Sequence, residues 1–445
     1  MMPRSSILNH VLATTLALLV IAAATLPSQH DTTLLLALFI PASLLFYMLV
    51  LRLLQAPNLN VTHWLIGALA IRCCLLFTTP NLSDDYFRFL WDGILQANGI
   101  NPFDLLPSDI IARSELPPGI TKALYDQLNS PHYYTVYPPV SQLVFWLSVQ
   151  AGNFMPAPSL LAIKAILFIA ECFLILRIFP RLLTKLNLPQ GFTFWYAFHP
   201  LVIIEIMGNV HFEGLTLTCF LAGLFLLYRA DMWKSSFFLA LSVATKLVPL
   251  IFFPALLISC KRSQSIRLLL STSVILLVAF FPLLSSQFLP NFLSSIHLYF
   301  RNFEFNASIY YIVRWVGFKI TGYNQIALIG PGLSLLSLLL ILFLSLWPSM
   351  RRRFSLPERL LFASTIYLLF STTVHPWYLI IPAGLAPLTR FTYPTIWALL
   401  GIFSYTHYAG GDTNEQWAWV ILEYLLLALF ITMDFKRISL NTHTA

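Results

Sequence analysis

Apolar runs of about 15 to 25 residues repeat nearly end to end along the chain, each of the length that carries a helix across a bilayer core. They predict spans near 8–27, 32–54 and 61–79, and again near 138–155, 158–179, 191–207, 211–229, 235–259, 266–284, 324–347, 357–374, 376–389, 392–409 and 416–434. About thirteen to fourteen transmembrane helices follow, and with them an all-α polytopic membrane protein. The pattern breaks twice. Residues 80–137 are polar and carry turn signals such as "NGINPF" and "LPPG", which predicts an ordered external loop of short helices, because so long a loop without structure is unusual. Residues Phe303 to Ile320 are too polar for a span and predict a helix lying on the external face.

Charge orients the pattern. Lys261, Arg262, Arg267, the run Arg351, Arg352, Arg353, then Arg390, Lys436 and Arg437 all fit cytoplasmic span ends, which puts 80–137, 285–323, 371–377 and 410–415 outside. Arg181, Lys185, Arg229 and Lys234 fall outside under the same count. They point to a re-entrant or half-crossing segment within 138–259.

Composition narrows the classes. Of 445 residues, 58% are hydrophobic and only 10% charged, so the chain is used up by spans as one transmembrane domain, 1–445, with no room for a separate water-soluble module. Any chemistry sits in loops or between helices. A net charge of +8 would suggest nucleic acid in a soluble protein, but here the basic residues stand beside span ends, where membrane orientation explains them; the partner is the lipid bilayer and not nucleic acid. The five cysteines lie inside apolar runs and support neither a disulfide framework nor a zinc site. Arg4 followed by the apolar run Val11 to Leu26 reads as a retained first helix rather than a cleaved leader.

The acids are unevenly placed. Seven of the eighteen acidic residues (Asp84, Asp85, Asp92, Asp104, Asp109, Glu115, Asp126) lie between Pro80 and Pro138, against three basic ones. A hydrophilic external loop tolerates charge, so count alone decides nothing. Position adds more: Asp84 and Asp85 follow directly on the Thr78-Thr79-Pro80 stop of a span, at the water–lipid boundary where the head group of a lipid-linked substrate is presented. Two adjacent carboxylates can differ in pKa, which suits a general base acting on a hydroxyl. Arg88 is spaced to pair with Asp84 or Asp92, and Phe87, Phe89 and Trp91 at helical spacing anchor this segment or face a sugar. Within the apolar runs, Arg72, Lys164, Glu171, Glu205, Glu213 and Lys246 are expensive to bury, so each suggests function or internal pairing. Lys164 and Glu171, seven apart, are placed to pair on one helix face, and Lys246 before Pro249 to satisfy carbonyls freed by a broken helix.

"SDDYFRFLWDG" followed by "GINPF" and "YPPVSQL" resembles the first external loop of the GT-C superfamily of integral-membrane glycosyltransferases, in particular bacterial polyprenyl-phosphate-mannose-dependent mannosyltransferases. "HPLVIIEIMGNVHFEGL", "ATKLVPLIFFP", "FEFNASIYYIVRW" and "TVHPWYLIIP" look like further blocks of that family in the same order, covering most of 80–382. The resemblance implies a GT-C fold, in which 80–137 is the catalytic loop. The chain would then pass a sugar, mannose by the likeness, from a polyprenyl-phosphate donor to a hydroxyl of a glycan or glycolipid acceptor. Transfer would occur with inversion on the periplasmic face of a bacterial inner membrane. An aspartate of the first loop serves as base, with a lean to Asp84 and Asp85 second. Ile94 stands where the family often has a basic residue, which puts any role for that position in doubt. Substrate contacts are expected from Arg88, Trp91, Asp92, Asn101 and Tyr137 of the loop, His211, Glu213 and Lys246 of the middle blocks, and Arg301, Asn306, Arg314, His375, Trp377 and Tyr378 of the later ones. No cofactor is required, although acids beside a phosphate can hold a divalent cation. Many spans alone would suit a transporter or lipid flippase equally well, but those concentrate charge at broken helices near mid-bilayer.

Overall fold

Prolines and buried polar residues cut the apolar runs at unequal intervals, so the helices differ widely in length. A computed structural model describes residues 4–301, 303–411 and 415–443, with side chains described for 7–297, 303–409 and 415–440. Among the described residues six helices are long and apolar enough to cross a membrane alone: Ile7–Thr25, Thr32–Gln55, Pro156–Lys185, Arg262–Leu283, Ile326–Leu346 and Trp417–Leu440. A seventh path is broken, Gln190–Ala197 meeting Pro200–Gly208 at 64°, where Pro200 cannot donate to the helix before it. Val61–Cys74, Glu213–Tyr228, Val248–Ile258 and Pro376–Leu388 are apolar but shorter. The protein is thus an all-helical polytopic membrane protein, and the expected thirteen to fourteen spans resolve, among the described residues, into six full-length helices, or seven with the bent pair, among shorter pieces.

Contacts sort the helix ends into two groups. At one end, Tyr228, Ala230 and Met232 line one cavity with Ser259, Cys260, Gln264, Arg351, Arg352 and Arg359, and Leu188 shares another with Arg390 and Arg437. This is the basic end. At the other, Asn81 bonds to the carbonyl of Thr25, His30 meets the carbonyl of Tyr408, Asn101 donates to the carbonyl of Leu283 at 2.8 Å, and Ser295 to that of Tyr134 at 3.0 Å. The acidic loop belongs to this second end, roofed by helix Phe288–Arg301.

Two expected spans are corrected. Helix Pro139–Ala151 does not run to the basic end but packs along Asp85–Ala97, with Ser141 on the carbonyl of Thr245 at one end of it. Beyond its other end, Phe154 lies against Gly119 of the loop, where a Cβ would meet its ring at 2.9 Å. The run 138–155 therefore stays at the acidic end as the second helix of a hairpin. The run 235–259, in contrast, is two legs: Met232–Thr245 rises from the basic end to Lys246, and Val248–Ile258 returns. Lys246 is extended at the break (φ −148°, ψ 144°), ahead of Pro249.

Pairing inside the bundle also differs from expectation. Lys164 does not meet Glu171 but donates to the carbonyls of Leu75 (2.9 Å) and Thr78 (2.6 Å), closing the end of helix Val61–Cys74. Glu171 instead takes Arg72 (2.9 Å) and the Tyr196 hydroxyl (2.8 Å), all three buried. Arg72 also donates to the carbonyl of Ala197 at 2.6 Å, so this cluster holds the bend of the broken helix.

Candidate active site

Helix Asp85–Ala97 presents Asp84 and Asp85 at its N-terminus, and the rest of the hairpin fixes that terminus. Arg88, Asp92, Gln142 and Thr135 form one chain: Arg88 Nε to Asp92 at 2.8 Å, Gln142 Nε2 to the other Asp92 oxygen at 2.9 Å and to Thr135 at 3.1 Å. Arg88 also donates to the carbonyls of Ser130 and Tyr133. Arg88 and Asp92 are buried and mutually engaged, and Trp91 is fully buried on the same helix, so these three brace the loop. Asn101 caps its own turn through Phe103 N and ties the loop to Leu283.

The two aspartates are half-buried and differ in surroundings. Asp84 meets Gln29 at 3.4 Å. Asp85 accepts from Asn129 at 2.8 Å and from the Tyr137 hydroxyl, and Lys246 is the cation that acts on it. Burial raises the Asp85 carboxyl above the usual aspartate range; the Asn129 bond and Lys246 partly oppose this, and the Asp84 charge adds to it.

The middle blocks converge on the same place. Lys246 pairs with Glu213 at the start of helix Glu213–Tyr228, and its ammonium lies 5.8 Å from the centre of the Tyr378 ring. His211 stacks on Trp377 at 3.8 Å and His375 stacks on the same indole at 4.4 Å. The half-buried Trp377 indole thus packs on both imidazoles. Burial lowers the His375 imidazole to about 3, so it stands neutral. Val210, just before His211, has φ +67°, a strained conformation for a β-branched residue. Behind it, Glu205 takes the Tyr405 hydroxyl (2.8 Å) and Asn209 (3.0 Å), with His211 Nε2 at 3.3 Å but outside hydrogen-bond geometry. Asn209 Oδ1, His211 Nε2, Glu213 Oε2 and His375 Nδ1 are all buried without a hydrogen-bond partner. Four such atoms in one cluster leave hydrogen-bonding capacity unused there, which is uncommon for buried polar groups.

A short parallel bridge, Phe305 with Thr373, carries the later blocks alongside, and Phe305 touches the His375 ring at 4.7 Å. The structure does not bring every expected residue in. Arg314 pairs with Glu304 at 2.6 Å and covers the Tyr311 and Trp417 rings, while Asn306 (φ +45°) bonds to Glu423 and, through its N–H, to Glu415. These two form a separate cluster. The Arg301 side chain lies outside the described residues. Among the described residues no three His, Cys, Asp or Glu side chains gather as metal ligands.

The family described as alpha-(1->6)-mannopyranosyltransferase, N-terminal domain, matches residues 6–262, more than half of the chain and all of the acidic loop with Asp84, Asp85, His211, Glu213 and Lys246. The chain belongs to this family. It is therefore a membrane glycosyltransferase with α-mannosyltransferase activity, as the resemblance to GT-C mannosyltransferases implied, and not the transporter its broken helices would also suit. No curated protein matches the chain. The matched segment ends just after Cys260, so Trp377, Tyr378 and His375 of this mannosyltransferase lie beyond it and join the site through the fold. Sequence reading missed Asn129, Asn209 and Tyr405. Asn209 lies inside the quoted "HPLVIIEIMGNVHFEGL" block, whereas Asn129 and Tyr405 carry no sequence signal, each being an ordinary polar residue made relevant only by its partner.

Proposed function

We propose that this mannosyltransferase takes mannose from a polyprenyl-phosphate carrier and passes it to an acceptor hydroxyl on the non-cytoplasmic side, with Asp85 as general base. The sidedness rests on charge: the basic ends gather at one end of the bundle, which is the cytoplasmic one by the usual bias, and the acidic loop lies at the other. The observation that carries the chemistry is the convergence of Asp85, the Lys246–Glu213 pair and unpartnered polar atoms at that outer end.

A glycosyl phosphate already holds its leaving group. What remains is to deprotonate the acceptor, align it, and neutralise the departing phosphate. Asp85 takes the acceptor proton, the acceptor oxygen forms its bond to C1 of the sugar, and the C1–O bond to phosphate breaks with its electron pair leaving on the carrier. Lys246 meets that charge. An α product made by single displacement requires a β-configured donor, which gives the inverting course. Asp84 beside Asp85 raises its proton affinity. No step requires a metal or other cofactor.

The test is transfer by the purified chain in nanodiscs with polyprenyl-phosphate mannose, against GDP-mannose alone. Asp85→Asn is expected to lower kcat about 10²–10⁴-fold with unfolding temperature retained, and Asp84→Asn far less. Full transfer by Asp85→Asn ends the base assignment, and transfer from GDP-mannose without carrier ends the donor assignment.

A further inference from the structure

At the basic end, away from the acidic loop, three arginines line one cavity, and among the described residues none of them is paired with an acid. Arg351 and Arg352 stand on the short helix Pro348–Arg353, and Arg359 on helix Leu356–Phe370; all three line a cavity of about 650 Å³. Arg359 is 5% exposed and donates to Ser259 Oγ at 2.8 Å, yet its Nε and Nη1 are buried with no hydrogen-bond partner. The nearest acid in sequence, Glu358, is already taken by Arg390 and by the N–H of Ser355. No Asp or Glu lines the cavity; its other polar members include Gln264 and Tyr228.

Leaving two guanidinium N–H donors buried and unpaired is costly, and more so with two further arginines lining the same cavity. An anion with several acceptor oxygens resolves both problems at once, since arginine's planar fork matches phosphate geometry. We infer that this cavity is a phosphate-binding site, distinct from the catalytic centre, that takes a phosphate group carried by an anionic lipid head group or free in solution. Its place at the positively charged end puts it level with the leaflet face where anionic head groups concentrate.

The site has a route to catalysis. Ser259, which holds Arg359, directly follows Val248–Ile258, and the other end of that leg begins just after Lys246. An anion that draws Arg359 fixes the lower end of the leg whose upper end carries the cation proposed to meet the leaving phosphate. Occupancy therefore favours the active setting of Lys246; this last link rests on the proposed function, whereas binding itself does not.

The experiment uses the full chain, delipidated in detergent. Native mass spectrometry counts retained phosphatidylglycerol, and thermal unfolding is followed against inorganic phosphate, with chloride at equal ionic strength as reference. Two variants are compared, Arg359→Gln and the double Arg351→Gln/Arg352→Gln, the latter touching only exposed side chains. Expected is phosphatidylglycerol retention or a phosphate-specific rise in unfolding temperature in the parent chain, weakened about ten-fold or more in apparent affinity in both variants. Retention of the lipid without a response to inorganic phosphate assigns a head group; a response to both assigns the phosphate group itself. Absence of both, or binding that survives in the double variant, overturns the site. If Arg359→Gln does not fold, the double variant alone decides. Loss of binding with unchanged turnover would leave the site standing and remove only its link to Lys246.

Discussion

Gly93, the glycine of the Trp-Asp-Gly motif, sits where helix Asp85–Ala97 crosses Pro139–Ala151 so closely that a Cβ would lie 2.5 Å from the Phe145 carbonyl oxygen and 2.8 Å from Val149 Cγ2. Ordinary contact begins near 3.4 Å, so Gly93→Ala forces the helices apart by about 0.9 Å (3.4 − 2.5), and a backbone oxygen cannot rotate out of the way. Overpacking of this kind costs about 1–3 kcal/mol, offset by up to about 1 kcal/mol from replacing a glycine within a helix. Stability therefore falls modestly. The larger effect is positional, because Asp85 begins the same rigid helix, and a misplacement of about 1 Å at a reacting group costs on the order of 10²-fold in rate. Mannosyl transfer in nanodiscs, with thermal unfolding in parallel, is expected to show kcat down about 100-fold while the unfolding temperature drops only slightly. Gly67→Ala, inside helix Val61–Cys74 where a Cβ meets nothing within 4 Å, is the control: it leaves turnover unchanged and does not lower the unfolding temperature. Wild-type turnover in Gly93→Ala, or an equal loss in Gly67→Ala, refutes the idea that this crossing positions the base.

Further outcomes follow from the charged groups. Arg72→Met leaves Glu171 with only Tyr196 and destabilises by about 3–5 kcal/mol, whereas Arg72→Met/Glu171→Leu recovers most of it; equal unfolding temperatures for the two would show that the stranded Glu171 charge is not the source of the loss. Burial raises the Asp85 carboxyl, so it gains its base form only as pH rises above the ordinary aspartate range, and kcat/KM climbs through that raised value. The native state then holds this proton more tightly than the unfolded chain, so the stability Asp85 contributes is fully present below the unfolded value and is lost as pH rises through the folded one. Asn129→Ala removes a bond that lowers the carboxyl and is expected to move the acid limb of kcat/KM to higher pH; an unmoved limb argues against Asp85 as the titrating base. Lys246→Met lowers kcat about 10²–10³-fold with a poor leaving group and much less with an aryl-phosphate mannose, and an equal loss with both would deny Lys246 its role at the departing phosphate.

Much of the site was legible because charge is expensive in an apolar chain. Glu213, Lys246, His211 and His375 stand out against apolar runs and Asp85 by its place at a span end, and the fold brings all five together. Motif membership was a weaker guide. Arg88, Trp91 and Asp92 share the Asp85 helix but brace it from within, since an i,i+4 pair on a helix that is buried on that side closes on itself before it reaches a ligand. Arg314 and Asn306 belong to a block of the same likeness, yet Glu304, Glu415 and Glu423, which no periodicity singles out, draw them into another cluster. Asn129 is the counterexample. It contributes a bond to the proposed base from a loop position that nothing in composition or spacing distinguishes.

The fold was legible in kind but misread between 138 and 259, and the misreading left its own trace. Hydropathy treats 138–155 as a crossing because a helix packed in a hairpin also carries a largely apolar run, and it fuses 235–259 because Lys246 and Pro249 interrupt an otherwise continuous run only briefly. One crossing too many followed by one too few restores the correct parity after Lys261, so the ends of the chain look right while everything between is inverted. The basic residues record the inversion: Arg181, Lys185, Arg229 and Lys234 appear on the wrong side only within that interval. With Pro139–Ala151 kept at the acidic end, helix Pro156–Lys185 starts there and delivers Arg181 and Lys185 to the basic end beside Leu188, and Glu213–Tyr228 delivers Arg229 next to the cavity of Arg351. Four misplaced cations bounded by two correct stretches thus locate a compensating pair of errors, and the same fold-back that corrects them is what lifts Lys246 to Asp85.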